Sequence, residues 1–430
     1  MEERQLEQFA NRGYDVLDKI RALDPSVSLS MSIGIGRGAR TLREAQDMAE
    51  HALDMAQGRG GDQAAEMTLD GFTFYGGVSH GVEKRSKVRS RLVADQLVKL
   101  IKEADHVVIM GHRMSDLDAI GAAEGVLRIC KICDVPAVIA VRRDATLAAS
   151  LIDALCKAGQ KDDFIDPKEA LPIISKRTLC IVVDTYQAGL VESKDILEKC
   201  GKVAVIDHHR KGVGYIENPA LVCHEPYSSS ASELVTELLQ YVGERDDKPN
   251  RVEAEGLLAG ILLDTQDFTL HTGVRTFEAA AALRRYGAET ERVRRLFDVT
   301  MVEYNAKADL VEKAQMYKNC AISIGGEVAP EARVAIAQAA NDLLRIQGVD
   351  ASFVAVQVGN GVNVSARSMG AVNVQVIMES LGGGGHQTMA AAQLKHITPQ
   401  AARSRIQDAI DQYYLSQKKT TPEARPAKGE

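Results

Sequence analysis

Four apolar segments of this chain each run directly into aspartate or histidine, and that repetition limits what the chain can become. Val107-Val108-Ile109-Met110 is followed by Gly111-His112, then by Asp116 and Asp118. Thr178 to Val183 ends in Asp184, Lys202 to Ile206 in Asp207-His208-His209, and Gly256 to Leu263 in Asp264. Short apolar runs bounded by turn signals read as buried strands. In an open parallel sheet, ligands bind just outside the carboxyl ends of the strands. One such ending is common and means little. Four of them predict an α/β chain that gathers carboxylates and imidazoles along one rim.

Composition narrows the class. Of 430 residues, 45% are apolar, enough for sizeable cores in two or three domains. The net charge is −7, aromatic residues make up 4% and Trp is absent. Long nucleic acid is therefore not the expected partner, since it is gripped by many Lys and Arg and by stacking rings. Seven cysteines, an odd number and scattered, fit a reducing cytosol better than a disulfide framework. Cys130-Lys131-Ile132-Cys133 has no second CxxC and no neighbouring His, and reads as ordinary helix packing. No apolar run reaches membrane-spanning length and no signal peptide opens the chain, so a cytoplasmic location is expected.

Taken in order, residues 1–75 read as a small α/β segment. Leu6 to Leu23 is amphipathic, Val27 to Ile35 alternates like a half-buried strand, and a helix is expected from Leu42 to Ala56, broken at Gly58-Arg59-Gly60-Gly61. Phe72 to Val88 reads as a connector, with a linker over 76–90. From 91 to 300, strands and helices alternate, which argues for a doubly wound, Rossmann-like parallel sheet. Ser228 to Glu233 supplies a capping start for a helix from Leu234 to Tyr241. A connecting helix is expected over 301–318. A smaller α/β unit follows over 319–414, with strands at 320–324, 333–337, 353–358 and 362–367, helices at 338–346, 373–380 and 399–414, and a glycine run at 382–385. The tail, 415–430, is polar and expected to be disordered.

Asp116, Asp118, Asp184 and Asp264 bring four negative charges to one rim, where they would raise one another's pKa values. Two divalent cations would offset them. A carboxylate and imidazole set without thiolate favours Mn²⁺ or Mg²⁺, with Fe²⁺ or Co²⁺ as alternatives, over structural zinc. Paired cations of this kind serve in-line displacement at phosphorus, so the residues read as a two-metal phosphoesterase. Thr272 and Arg275 are weaker candidates for phosphate contact, while His51, His80, His106, His224 and His396 belong to no cluster.

His112-x3-Asp116-x-Asp118, then Asp184, Asp207-His208-His209 and Asp264, resemble the four motifs of the DHH phosphoesterases. Val364-Ser365-Ala366-Arg367-Ser368 and Gly382-Gly383-Gly384-Gly385-His386 resemble the DHHA1 substrate domain. Within that superfamily the chain is most similar to GdpP-type cyclic-di-AMP phosphodiesterases. Its "SLSMSIGIG", "TLREAQDMAEHALDMA" and "GRGGDQ" look like the closing half of a degenerate GGDEF domain. The GGDEF signature and the preceding phosphate-binding half are absent, so no cyclase activity is expected. A half domain is also expected to leave Ile33 and Ile35 poorly covered.

The resemblance implies roles. His112, Asp116 and Asp184 would hold one metal; Asp118, Asp184, His208 and Asp264 would hold the other, with Asp184 bridging. His209 would face the scissile phosphate, and Asp207 would orient the histidines. Arg367, Ser368, Gly383, Gly384, Gly385 and His386 would bind substrate. It implies two Mn²⁺ ions, a cyclic dinucleotide substrate opened to 5′-pApA, and a homodimer. Full-length relatives carry membrane helices upstream, so the chain is expected to correspond to a cytoplasmic portion or a shortened form. The alternatives within the family are an oligoribonuclease or a 3′-phosphoadenosine 5′-phosphate phosphatase. A non-catalytic cyclic-dinucleotide receptor is the alternative outside enzymes.

Overall fold

The computed structural model describes residues 3–23, 29–76, 87–211, 214–244, 247–327, 333–385 and 388–420. The chain divides into two compact units, Met1–Phe297 and Asp298–Glu430. No helix among the described residues is long and apolar enough to cross a membrane.

The first unit opens with a three-stranded sheet in the order β1 (Ile33–Gly36), β2 (Gln63–Thr68), β3 (Gly71–Gly76). β1 and β2 are parallel and joined by the helix Leu42–Gly58, which Thr41 caps by accepting the Glu44 N–H. The expected connector at Phe72 is instead β3, pairing antiparallel with β2 so that Ala65 lies opposite Phe74. Pairing with β2, a strand the sequence reading missed, settles an alternation too short to decide alone. The same hairpin overturns the expectation about Ile33 and Ile35. Ile35 is buried with Tyr14, Leu17 and Ala64, and Ile33 packs against that cluster. This segment thus supplies its own cover from its first two helices and its hairpin.

The rest of the unit is a six-stranded, wholly parallel sheet. Its strands are β4 (Val107–Met110), β5 (Ala137–Ala140), β6 (Phe164–Ile165), β7 (Leu179–Val183), β8 (Lys202–Asp207) and β9 (Leu221–His224). Their spatial order is β6-β5-β4-β7-β8-β9, which reverses between β4 and β7. That reversal opens the crevice at which doubly wound sheets bind ligands. Burial on both faces explains the unbroken apolar runs. In β7, Leu179, Ile181 and Val183 enter one core while Cys180 and Val182 enter the other.

The helices Leu117–Ile132 and Arg251–Thr265 cross where Gly121 meets Gly256, and a Cβ on Gly121 would stand 2.5 Å from the Gly256 carbonyl oxygen. Between the same two helices lies a buried acidic pair. Arg128 holds Glu253 with two contacts of 2.8 and 2.5 Å, while the Gln160 amide bridges Glu253 and Glu124. Burial, and then the charge of Glu253, push the Glu124 pKa from 4.5 up to about 8. Between those values the unfolded chain releases a proton that the folded chain keeps, so stability falls as pH rises through the window. The loss is on the order of a few kcal/mol, complete above the folded value. Glu124→Gln should therefore raise Tm at pH 8 and leave it nearly unchanged at pH 4.5. Parallel Tm–pH curves for wild type and variant would refute this.

The second unit holds a six-stranded mixed sheet in the order β10 (Gln315–Tyr317), β11 (Cys320–Glu327), β12 (Ala351–Val358), β13 (Gly361–Ser368), β15 (Met389–Lys395), β14 (Gly384–Gly385). The expected connecting helix ends at Glu312, and 315–317 turns back as β10 onto β11. Residues 333–337, expected as a strand, are the first turns of the helix Arg333–Leu343. A short apolar run cannot be told from buried helix by pattern alone; here Ala335, Ile336, Ala339, Ala340 and Leu343 form one buried face. The last helix, expected to end at 414, runs from Pro399 to Thr420, since no Gly or Pro intervenes before Pro422.

Candidate metal centre

Each ligand-bearing side chain stands where its local structure dictates. His112 follows β4 by one residue beyond Gly111, Asp184 follows β7, and His208 follows β8. All three occupy carboxyl ends flanking the switch point. Asp184 adopts the left-handed backbone (φ 58°), which an Asp tolerates better than most residues, and its N–H is held by the Ile206 carbonyl at 2.9 Å. Asp116 caps the helix Leu117–Ile132, its Oδ1 accepting the N–H groups of Asp118 (3.0 Å) and Ala119 (3.1 Å).

Asp118, two residues on, is fully buried. Its Oδ2 accepts the Ala231 N–H at 2.7 Å and its Oδ1 the Ser232 N–H at 2.9 Å, both from the start of the helix Ala231–Leu239. That helix begins three residues earlier than expected, capped by Ser230, because Asp118 takes the N–H groups of its first turn. Gly260 leaves the room: a Cβ there would lie 2.6 Å from Asp118 Oδ1. Asp264, in the last turn of Arg251–Thr265, completes the ring. Gln266, Asp267 and Phe268 after it are all left-handed, strain stored beside the cluster.

The side chains converge. His112 Nδ1 lies 2.8 Å from the Arg113 carbonyl, to which it donates, turning Nε2 toward Asp184 Oδ2 (3.4 Å) and Asp116 Oδ1 (3.8 Å). His208 Nε2 is 3.1 Å from Asp264 Oδ2, 3.4 Å from Asp184 Oδ1 and 3.9 Å from Asp118 Oδ2. Ligand atoms of His112, Asp116 and Asp184 lie within 4.8 Å of one another, as do those of Asp118, Asp184, His208 and Asp264. A third such set is Asp184, His208 and His209, and Asp184 is common to all three. His208 Nε2 and Asp184 Oδ1 are buried without a hydrogen-bond partner. Buried orphan lone pairs facing one another, with no thiolate among them, fit a pair of hard divalent cations.

The electrostatics agree. Burial and the charges of Asp184 and Asp264 push the Asp118 pKa well up, and burial raises that of Asp264 as well. Burial alone would raise Asp184, but the adjacent His112 and His208 imidazoles hold its carboxyl well below the usual range. Burial would lower His112, yet Asp116 and Asp184 push it up to about 11. The cluster is thus an anionic site that recruits positive charge from its own imidazoles.

Asp207 Oδ1 accepts from His209 Nδ1 at 2.9 Å and from the His209 N–H at 3.2 Å, while the His209 side chain stays 45% exposed. Asp207 is fully buried. His224 Nε2 reaches the His209 carbonyl at 2.5 Å, although the sequence reading set His224 aside. No local signal could have found it, because β9 was not recognised as a strand. Arg275 is drawn away from phosphate binding: its Nε and Nη2 each lie 2.6 Å from the Glu237 carboxylate. Thr272 turns its hydroxyl onto the Leu270 carbonyl.

The remaining candidates lie in the second unit. Arg367 projects from β13 on the face shared by Asn363 and Ser365, opposite the core residues Val362, Val364 and Ala366. Its Nη1 donates to Ser365 Oγ and the Ala366 carbonyl, and its Nε is buried without a partner, as is Asn363 Oδ1. Ser368 falls on the opposite face, buried, its Oγ accepting the Gly370 N–H. The Gly383 N–H is already spent on the Met378 carbonyl, and Gly384-Gly385 form the edge strand β14 against Ala390 and Ala391. A Cβ on Gly385 would come within 2.5 Å of Ala390 Cα, so glycine is needed there for close strand approach, whereas Gly384 has open space. His386 lies outside the described residues.

Comparison with known proteins is consistent with this geometry. Residues 106–261 match the DHH family, N-terminal domain, and 329–415 match the DHHA1 domain. Residues 1–70 match the GGDEF domain of the "Cyclic-di-AMP phosphodiesterase GdpP-like" description. The chain is 43% identical over 96% of its length to the "Cyclic-di-AMP phosphodiesterase GdpP" of Geobacillus thermodenitrificans. It is 41% identical, over 96% as well, to that of Bacillus subtilis. It spans 64% of each of those relatives. Among solved structures, an exopolyphosphatase-related protein from Bacteroides fragilis superposes with a TM-score of 0.65 at 20% identity, covering 76% of this chain and 98% of that one.

Proposed function

Because the chain matches the DHH and DHHA1 domains and a GdpP-like GGDEF domain, we propose that it is a DHH–DHHA1 phosphoesterase that hydrolyses cyclic di-AMP to 5′-pApA with two Mn²⁺ ions. The observation that carries this reading is the identity of 43% to a cyclic-di-AMP phosphodiesterase along nearly the whole chain, GGDEF-like segment included. One cation would be held by His112, Asp116 and Asp184, the other by Asp118, Asp184, His208 and Asp264. When bound, the pair supplies Lewis-acid stabilisation of charge on the phosphoryl group.

The chain's own residues do the rest. Asp207 fixes the His209 ring through Nδ1, so Nε2 is the ring atom that meets a phosphate oxygen. Its half-exposed position suits a residue that touches substrate rather than cation. Arg367, with its buried Nε, and Asn363, with its side-chain oxygen on the same face of β13, give the second unit a donor and an acceptor for nucleotide. The proposed setting is the cytoplasm and the proposed state a homodimer, to be read by sedimentation of purified protein.

The test is hydrolysis of cyclic di-AMP, cyclic di-GMP and pApA with Mn²⁺, products resolved by chromatography. Cyclic di-AMP consumed fastest with pApA accumulating supports the reading. Fast cleavage of pApA with cyclic di-AMP untouched moves the function to oligoribonuclease chemistry. Arg367→Ala should raise KM for cyclic di-AMP roughly tenfold or more with kcat largely kept, as expected for loss of a charge-assisted contact. An unchanged KM would remove Arg367 from the substrate site.

A further inference from the structure

The loop that carries His208 and His209 is anchored on its far side by the GGDEF-like segment as well as by the parallel-sheet domain. Lys211, two residues beyond His209, is buried. Its N–H donates to the Gly58 carbonyl at 2.9 Å, and its Nζ lies 2.5 Å from Asp54 Oδ2. Both partners belong to the last turns of the helix Leu42–Gly58. A Cβ at Gly58 would stand 2.7 Å from Lys211 Cδ, so only glycine admits the lysine stem. The Tyr227 hydroxyl adds a second tie by donating to the Gly60 carbonyl.

The same ammonium reaches both ligand loops. It stands 3.9 Å from the centre of the Tyr215 ring and 5.4 Å from that of Tyr186. Tyr186 is two residues beyond Asp184, and its ring packs at 5.6 Å from that of His224, whose Nε2 holds the His209 carbonyl. Asp54, Lys211, Tyr186, His224 and His209 therefore form one contiguous set of contacts. At one end is a helix with no residue in the metal cluster. At the other are the loops that carry Asp184 and His208. A long cation burying its stem at a glycine, when water was available to it, needs a specific partner to offset desolvation. Asp54 is that partner.

We propose that Lys211 is a positioning residue through which the N-terminal segment sets the geometry of the metal-binding loops. The segment then serves as a brace whose docking tunes cation affinity. Outer contacts that orient ligands commonly change metal affinity by about 10–100-fold when removed.

The experiment compares wild type, Asp54→Asn, Asp54→Glu, Lys211→Met and the Asp54→Asn/Lys211→Met double variant in the full chain. Free Mn²⁺ is followed by electron paramagnetic resonance during titration, and hydrogen exchange is followed over 203–211. Each single variant should weaken Mn²⁺ binding about tenfold and speed exchange in that loop. The double variant should cost no more than either single, Asp54→Glu should restore most of the affinity, and KM for cyclic di-AMP should hold while kcat falls. Unchanged Mn²⁺ affinity in both single variants overturns the proposal, as does full additivity in the double variant. Asp54 is exposed enough that its Asn variant folds even if Lys211→Met does not. Mn²⁺ binding is read without substrate, so this proposal can fail while the assignment of cyclic di-AMP stands, and the reverse.

Discussion

Asp184→Asn should abolish hydrolysis while leaving a folded chain. Asp184 belongs to both groups of ligand atoms, so one substitution weakens both candidate sites at once. Losing the carboxylate should cost on the order of 4 kcal/mol of transition-state stabilisation, roughly a thousandfold in kcat. The fold should survive for two reasons. Asn is among the residues that tolerate the left-handed backbone found here (φ 58°). Removing the charge also forfeits the attraction of His112 and His208 but relieves Asp118 and Asp264, effects of opposite sign. The metal-free Tm should stay near that of wild type, and the rise in Tm on adding Mn²⁺ should vanish. Wild-type turnover by the Mn²⁺-loaded variant would end the two-metal reading.

Asp118→Asn, the same chemical change in the first turn of the helix after β4, should behave otherwise. It too should lose activity, but it should also lower the Tm of the metal-free chain. Both carboxyl oxygens accept backbone N–H groups, those of Ala231 and Ser232, in a fully buried site. A carboxamide can accept with only one of its two terminal atoms. Its NH₂ would face a backbone donor at under 3 Å. An unsatisfied buried donor costs about 1–3 kcal/mol, which for a unit of this size is roughly 2–10 °C in Tm. A differential scan without metal, comparing the two Asn variants, decides it. If both variants melt with wild type, the Asp118 contacts to the helix start contribute nothing, and the residue is a ligand alone.

The contrast shows how much of the site was legible beforehand. Residue type and position after apolar segments drew attention to His112, Asp116, Asp118, Asp184 and Asp264, because a parallel sheet sends its carboxyl ends to one rim, while the DHH resemblance supplied the complete ligand set with His208, and Asp264 closes a helix rather than a strand. The same logic predicted the doubly wound sheet. Where the logic failed, the segments were short. Residues 333–337 pattern equally as strand or helix, and β3, β9 and β10 are stabilised by partners that no local window contains. Arg275, a weaker candidate for phosphate contact, is held by Glu237, a partner 38 residues away.

The sequence by itself determined the chemistry: which carboxylates and imidazoles exist, and that the fold would bring them to one edge. It did so because alternation, apolar runs and strand ends are local properties of the chain. Only the tertiary structure decided how each ligand is held. Asp118 is fixed by a helix start 113 residues away, and Lys211 by a carboxylate 157 residues away in the GGDEF-like segment. Such contacts depend on which surfaces meet after the elements have formed. They are set by the shape of Gly58 and Gly260, where a missing side chain lets another group approach, and no spacing rule along the chain encodes that.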